Sequence, residues 1–128
     1  MIVAGVGFRR NVAADEIVAL VEQAIARAAL TGDALERLAT VAPLAALPAF
    51  REAARRLAVD TASVAEPDLT AAAPRVGTQS ARALAAYGVG SVAEAAALAA
   101  AGPRSELILE RIASGSATCA LARRKTHP

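Results

Sequence analysis

One cysteine and one histidine in 128 residues exclude several classes of site. An internal disulfide needs two cysteines, and a Cys/His zinc cluster needs more ligands than Cys119 and His127 supply. We therefore expect no metal site and no bound cofactor, and nothing in the sequence requires an oxidising compartment. Cys119 lies in a strand-like run, which predicts a small buried hydrophobe rather than a nucleophile.

Aromatic residues are also scarce, since Phe8, Phe50 and Tyr87 are the complete set. Proteins that bind single-stranded nucleic acid stack bases on aromatic rings, so this sequence argues against that class. The formal net charge of +2 is too small to predict a nucleic-acid partner. No stretch has the length and composition of a signal peptide or a membrane span, and we therefore predict a cytoplasmic protein with no membrane partner.

Hydrophobic periodicity and turn residues predict a single α/β domain over residues 1–128, with a frayed tail at 123–128. Strands are predicted at 2–6, 35–41, about 58–64, 107–109 and 117–121, and helices at about 13–30, 47–58, 79–87 and 91–101. Residues 71–77 are predicted to be loop. The order of these elements predicts a three-layer α/β/α fold with a mixed, partly parallel sheet and a C-terminal antiparallel hairpin.

The N-terminal segment carries the clearest candidate for a binding site. A buried strand leads into Gly5 and Gly7, which predict a tight turn before the first helix, and Arg9 and Arg10 follow at once. A strand, a glycine turn and a helix N-terminus together bind anions, and each guanidinium can contact two carboxylate or phosphate oxygens. The dinucleotide-binding motif requires a third glycine where Arg10 stands, so NAD is not predicted.

Polar residues elsewhere give weaker predictions of ligand contact. Ser80 lies in the first turn of a helix that Thr78 is predicted to cap, and Thr40 and Thr118 fall at or near strand ends, where ligands of α/β sheets bind. Ser91-Val92-Ala93-Glu94 matches a capping box, in which the Glu94 carboxylate returns to the serine N–H. A structural role therefore accounts for Glu94, and a catalytic role is the weaker alternative.

Five segments follow one another along the chain, namely Gly5-Val6-Gly7-Phe8-Arg9-Arg10, residues 38–41, residues 78–81, residues 88–98 and residues 117–123. In this order they resemble the CobE/CbiG C-terminal family of cobalamin-biosynthesis proteins. The resemblance covers nearly the whole chain. It implies a role in building the corrin ring of vitamin B12, and a ligand similar to a precorrin or to hydrogenobyrinic acid. The site expected for that polycarboxylate comprises Gly5, Gly7, Phe8, Arg9, Arg10, Thr40, Ser80 and Thr118.

Two departures from the family pattern bear on catalysis. The family tends to carry a lysine and an acidic residue where this sequence has Leu44 and Leu47, and Glu110-Arg111 replaces a Pro-Lys pair. Arg111 is a candidate to substitute for the missing cation. The resemblance leaves open whether the protein assists ring contraction, opens a precorrin lactone in a hydrolase-like step, or only binds an intermediate.

Two other functions remain open at this point. The glycine turn alone would also suit a small nucleotide- or phosphate-binding α/β module. A third hypothesis is a non-catalytic partner of a precorrin methyltransferase or another corrin-pathway enzyme, because the alanine-rich helix at 91–101 could present a flat, closely packing face.

Overall fold

A computed structural model describes residues 1–124 and contains five strands and six α-helices within that range. The strands are β1 (Ile2–Phe8), β2 (Leu35–Val41), β3 (Asp60–Val64), β4 (Ser105–Ala113) and β5 (Ala117–Arg124). The helices are α1 (Ala14–Arg27), α2 (Ala42–Ala45), α3 (Pro48–Leu57), α4 (Glu66–Ala71), α5 (Ala81–Tyr87) and α6 (Val92–Ala101), with 3₁₀ turns at Gly32–Ala34 and Ala73–Arg75.

The strands form one mixed sheet in the order β3-β2-β1-β5-β4. The three N-terminal strands are parallel, while β5 runs antiparallel to both of its neighbours, β1 and β4. The predicted α/β class, the parallel early sheet and the C-terminal hairpin are therefore confirmed. The N–H of Arg124 donates to the carbonyl of Met1 at 3.0 Å, so the two described ends are adjacent.

Helices cover both faces of the sheet, because alternate side chains of each strand point to opposite sides. On β1, Ala4 packs toward α1 and α3 together with Ile17 and Phe50, while Val3 packs toward α4 and α6 together with Leu98. Each face thus has its own apolar core, and the three-layer arrangement follows from the strand alternation.

Gly5 and Gly7 do not form the predicted turn, because both lie inside β1 and pair with Ala120 and Thr118 of β5. A Cβ atom on Gly5 would lie 2.0 Å from the carbonyl oxygen of Ala93 in α6. The prediction was wrong because hydrogen bonding to β5 keeps the segment extended. Glycine is needed at residue 5 because α6 packs too close to the strand for a Cβ atom. The nucleotide-binding hypothesis loses the turn on which it depended.

Helix α6 is buried along almost its whole length, including Val92 to Leu98 and Ala101. The flat face predicted for a partner enzyme is covered by the chain's own sheet, so that prediction was wrong. Alanine side chains allow this helix to pack closely over Gly5, and this packing uses the surface that a partner would need.

Several element boundaries differ from the predictions. Helix α1 runs from Ala14 to Arg27 where a helix was predicted at about 13–30, and its N-cap residue Ala13 makes no side-chain hydrogen bond. The predicted loop at 71–77 contains the end of α4 and a 3₁₀ turn, and α2 forms directly after β2, where no helix was predicted. Strand β5 includes Arg123 and Arg124, where fraying was predicted; residues 125–128, with His127, lie outside the described residues.

Within residues 1–124, no single helix is long and apolar enough to cross a membrane. The bent pair of α5 and α6 meets the same criterion together, by length and composition alone.

Candidate functional site

A cavity of about 410 Å³ lies at the carboxyl end of β1. Four parts of the chain build its wall: β1 with the loop after it, Leu44 of α2, the segment that contains α5 and the start of α6, and the β4–β5 hairpin. The lining residues are Gly7, Phe8, Arg9, Arg10, Leu44, Ser80, Arg82, Ala83, Ala86, Tyr87, Ser91, Val92, Arg111, Ser114, Gly115, Ser116, Ala117 and Thr118.

Four arginines line this cavity, namely Arg9, Arg10, Arg82 and Arg111, and no aspartate or glutamate is among the lining residues. Within residues 1–124 none of these four guanidinium groups forms an ion pair. A cleft lined by charge of one sign concentrates the electrostatic field and attracts ions of the opposite sign. The cavity therefore has the charge pattern of an anion-binding site, and we name it the arginine cavity.

The hairpin turn that borders the arginine cavity is attached to the rest of the domain on two sides. The N–H of Arg9 donates to the carbonyl of Ser116 at 2.9 Å. The Glu16 carboxylate of α1 accepts from the Ser114 hydroxyl and, at 2.6 Å, from the N–H of Ser116. These two hydrogen bonds lower the pKa of Glu16, because they favour its charged form. Helix α1 thus supports the site through Glu16.

The helix N-termini at the arginine cavity belong to α5 and α6 and not to α1. Ser91 and Val92 line the cavity, whereas no residue of α1 is among the lining residues described above. The Ser91 Oγ accepts from the N–H of Glu94 at 3.1 Å and caps the helix. The prediction that the start of α1 forms part of the anion site was therefore wrong. Arg9 and Arg10 do line the cavity.

The carboxylate of Glu94 does not return to the Ser91 N–H, so only half of the predicted capping box forms. It accepts instead from the N–H of Gly77 at 2.8 Å, the N–H and hydroxyl of Thr78 at 3.0 and 2.6 Å, and the N–H of Arg111 at 2.9 Å. Burial raises the pKa of Glu94, but the hydrogen bonds from Thr78, Arg111 and Gly77 outweigh it and the net shift is downward. The side chain is buried and stays charged at neutral pH.

The structure brings together six of the residues predicted from the sequence to bind a ligand. These are Gly7, Phe8, Arg9, Arg10, Ser80 and Thr118, all of which line the arginine cavity. Gly5, Thr40 and Glu94 do not line it. The buried Thr40 hydroxyl donates to the carbonyl of Val6 at 2.7 Å, so it joins β2 to β1 and serves the sheet.

Ser80, not Thr78, caps α5, and its Oγ accepts from the N–H of Ala83 at 3.4 Å.

Cys119 is buried, as predicted, and burial raises the pKa of its thiol to about 12. Such a thiol is uncharged at neutral pH and is a poor nucleophile.

Sequence reasoning missed Arg82 and Tyr87 in the cavity wall, and gave Arg111 only as a substitute for a missing lysine. A signal for Arg82 was present, because it follows the helix-capping Ser80 by two residues. No local pattern marks Arg111, whose place in the wall depends on the pairing of β4 with β5.

Comparison with known proteins agrees with this architecture. A sequence model of the family described as "Cobalamin synthesis G C-terminus" matches residues 2–122. Protein CobE from Sinorhizobium sp is 38% identical over 121 residues, which cover 94% of this chain and 79% of that protein. The chain belongs to the cobalamin synthesis G C-terminus family.

Solved structures extend the family likeness to three dimensions. The crystal structure of CobE, a protein from the cobalamin (vitamin B12) biosynthetic pathway, is 33% identical with a TM-score of 0.93, over 100% of this chain and 93% of that one. Cobalamin biosynthesis protein chiG from Agrobacterium tumefaciens is 34% identical with a TM-score of 0.78, over 98% of this chain and 100% of that one. The family resemblance inferred from the ordered segments is confirmed.

Proposed function

We propose that the arginine cavity binds the peripheral carboxylates of a tetrapyrrole intermediate similar to a precorrin or to hydrogenobyrinic acid. The observation that carries this proposal is that the described wall residues include four arginines and no acidic side chain, and that none of these arginines forms an ion pair within residues 1–124. Corrin precursors carry acetate and propionate side chains around the ring, and membership of a cobalamin-biosynthesis family selects this ligand class among anions.

Charge-assisted hydrogen bonds would supply most of the affinity. Each bond between a guanidinium and a carboxylate contributes about 1.5–3 kcal/mol, and a planar guanidinium can contact both oxygens of one carboxylate. Arg9 and Arg10 come from the loop after β1, while Arg82 and Arg111 come from α5 and β4. Cations from three segments suit a ligand whose carboxylates point in several directions.

The size of the cavity favours binding of one edge of the macrocycle. A volume of about 410 Å³ lies at the lower end of the range for sites that enclose drug-sized ligands, and a four-ring polycarboxylate is larger than such ligands. Phe8, Leu44 and Tyr87 give the wall apolar surface for the ring edge. Leu44 stands where the family tends to carry a lysine, and Arg111 supplies a cation to the same wall.

Binding is better supported than catalysis. The wall residues described above supply guanidinium and hydroxyl groups, and none of them is a carboxylate, an imidazole or a thiol. Glu94 lies behind the wall, and its carboxylate accepts four hydrogen bonds from Gly77, Thr78 and Arg111. We therefore propose a carrier or binding role in the cytoplasm, in which other corrin-pathway enzymes deliver or receive the intermediate. A lactone-opening step would have to use the arginines and hydroxyl groups.

Isothermal titration with hydrogenobyrinic acid tests the proposal directly. We expect the double variant Arg9→Ala/Arg10→Ala to weaken binding about 100-fold, because two charge-assisted contacts together contribute about 3 kcal/mol. The matched control is Arg27→Ala/Arg37→Ala, which removes the same charge from two exposed positions outside the cavity. The control is expected to bind within about threefold of the unmodified protein, since distant surface charges contribute little.

Three results would contradict the proposal. They are an absence of binding at millimolar hydrogenobyrinic acid, an equal loss in the control variant, and thermal stabilisation by nucleotides but not by the tetrapyrrole. The last result would favour a nucleotide or phosphate ligand for the same arginines.

A further inference from the structure

The charged group that the binding proposal leaves unused is the Glu94 carboxylate, which is buried behind the arginine cavity. We propose that Glu94 is a positioning residue: its carboxylate fixes Arg111 and the segment that leads into α5, so that both sides of the cavity keep their places. This inference rests on the proposed function, because the cavity it organises is the one assigned to the tetrapyrrole.

The contact with Arg111 compensates for an irregular stretch of β4. Pairing between β4 and β5 shifts register between Leu109 and Ile112, so Arg111 lies where the regular ladder is interrupted. Its N–H donates to the Glu94 Oε2 at 2.9 Å instead. A carboxylate on α6 therefore fixes the backbone from which the Arg111 side chain enters the cavity wall.

The contacts of Glu94 with Gly77 and Thr78 fix the opposite side of the cavity, where the chain leads into α5. Glu94 accepts from both backbone N–H groups and from the Thr78 hydroxyl. Two residues later, the N–H of Ser80 donates to the carbonyl of Gly90 at 2.8 Å. A Cβ atom on Gly90 would lie 2.2 Å from the Thr78 carbonyl oxygen, so this approach depends on glycine.

Helix α5 needs this support because none of its residues is buried. Ser80 and Arg82 line the cavity from the beginning of the helix. With little packing beneath α5, its position depends on the residues that enter and leave it, and Glu94 holds the entering side.

Only an ionised carboxylate suits this set of partners. Its two oxygens are acceptors, and the four groups that face them are donors. A glutamine keeps one acceptor oxygen and introduces an NH₂ donor. Its oxygen would satisfy the adjacent N–H groups of Gly77 and Thr78, its NH₂ would face the Thr78 hydroxyl, which can rotate to accept, and the Arg111 N–H would lose its acceptor.

The test combines binding with a readout at Arg111 itself. We expect Glu94→Gln to move the Arg111 amide resonance in a ¹⁵N–¹H spectrum and to weaken hydrogenobyrinic acid binding about tenfold. In an Arg111→Ala background the same substitution is expected to cost less than threefold, because the residue through which Glu94 acts is absent. Thr78→Val is the matched control: it removes a hydroxyl donor to Glu94 and should leave the Arg111 amide in place.

An equal loss of binding in the two backgrounds would overturn the inference, as would normal binding by Glu94→Gln despite a displaced Arg111 amide. If Glu94→Gln does not fold, amide hydrogen exchange in the unmodified protein keeps the test open. Slow exchange at Arg111 supports the contact, and exchange at the rate of an open edge strand contradicts it. If the unmodified protein does not bind, the proposed function fails while the amide measurements still report on Glu94.

Discussion

Helices α5 and α6 are neighbours in sequence with similar composition, yet they lie in opposite environments. Both are alanine-rich and both have a serine N-cap. Helix α6 is almost fully buried on the sheet, whereas α5 buries none of its residues. The surface beneath each helix makes the difference, since Gly5 of β1 allows α6 to approach closely, while α5 borders the arginine cavity.

This contrast separates the buried scaffold of the site, which includes α6, from the exposed wall that α5 forms. Substitutions under α6 should reduce the stability of the whole domain, whereas substitutions on α5 should change the cavity and leave the fold intact. The predictions below test that separation with paired variants, measured as free energies of unfolding in urea unless stated otherwise.

The largest effect is expected for Gly5→Ala. The new Cβ would lie 2.0 Å from the Ala93 carbonyl oxygen and 2.6 Å from the Ala97 nitrogen, and neither backbone atom can move without displacing α6. We expect a loss of at least about 4 kcal/mol, beyond the usual range for overpacking. Gly32→Ala is the control, because no atom lies within 4 Å of the added Cβ and a loss below about 0.5 kcal/mol is expected. Similar losses in both variants would show that α6 tolerates displacement.

Leucine truncation compares the two helices directly. Leu98 in α6 is 1% exposed, and Leu84 in α5 is 44% exposed. Leu98→Ala should cost about 3 kcal/mol, because it removes buried surface and leaves a cavity. Leu84→Ala should cost less than about 0.5 kcal/mol. A large loss at Leu84 would mean that α5 is packed more firmly than its exposure indicates.

Acid should remove the stabilisation that the charged Glu94 provides. Its pKa in the folded protein lies below the ordinary value of 4.5, so its contribution is fully present above about pH 4.5 and is lost as pH falls through the folded pKa. The stability difference between the unmodified protein and Glu94→Gln should therefore shrink below pH 4.5. Urea titrations from pH 7 to pH 3 measure it, and a constant difference would contradict the assigned charge.

The helix caps give the smallest contrast. The Ser91 Oγ is buried and accepts at 3.1 Å, whereas Ser80 accepts at 3.4 Å on a half-buried residue. Ser91→Ala should cost about 1–2 kcal/mol and Ser80→Ala about 0.5 kcal/mol, the upper and lower parts of the range for N-caps. The reverse order would indicate that α5 contributes more to global stability than α6.

Much of the fold could be predicted from the sequence because hydrophobic periodicity reflects local geometry. Strand β2 was predicted with the bounds that the structure has, and the Ser91 cap and the end of α6 before Gly102 follow standard signals. The glycines of β1 led to a wrong prediction of a turn, because glycine occurs both in turns and where two elements pack closely. Choosing between these roles requires knowing that α6, some ninety residues later, lies on Gly5.

The site was predictable only in part, for a similar reason. Arg9 and Arg10 stand out in the sequence because they follow a strand directly. The place of Arg111 and the partners of Glu94 depend on contacts between residues that are 16 or 17 positions apart in the chain. A capping box was a sound local explanation of Glu94, but burial gave its carboxylate other partners.

The pairing of β1 with β5 has a practical consequence for experiments. Met1 and Arg124 meet at one end of these strands, while Phe8 reaches the arginine cavity at the other, about 20 Å away by the rise of an extended chain. Fluorescent labels or immobilisation handles joined at residue 1 or 124 would leave the domain on the side remote from the arginine cavity. Surface-capture measurements of ligand exchange can therefore use either attachment and leave the cavity mouth free.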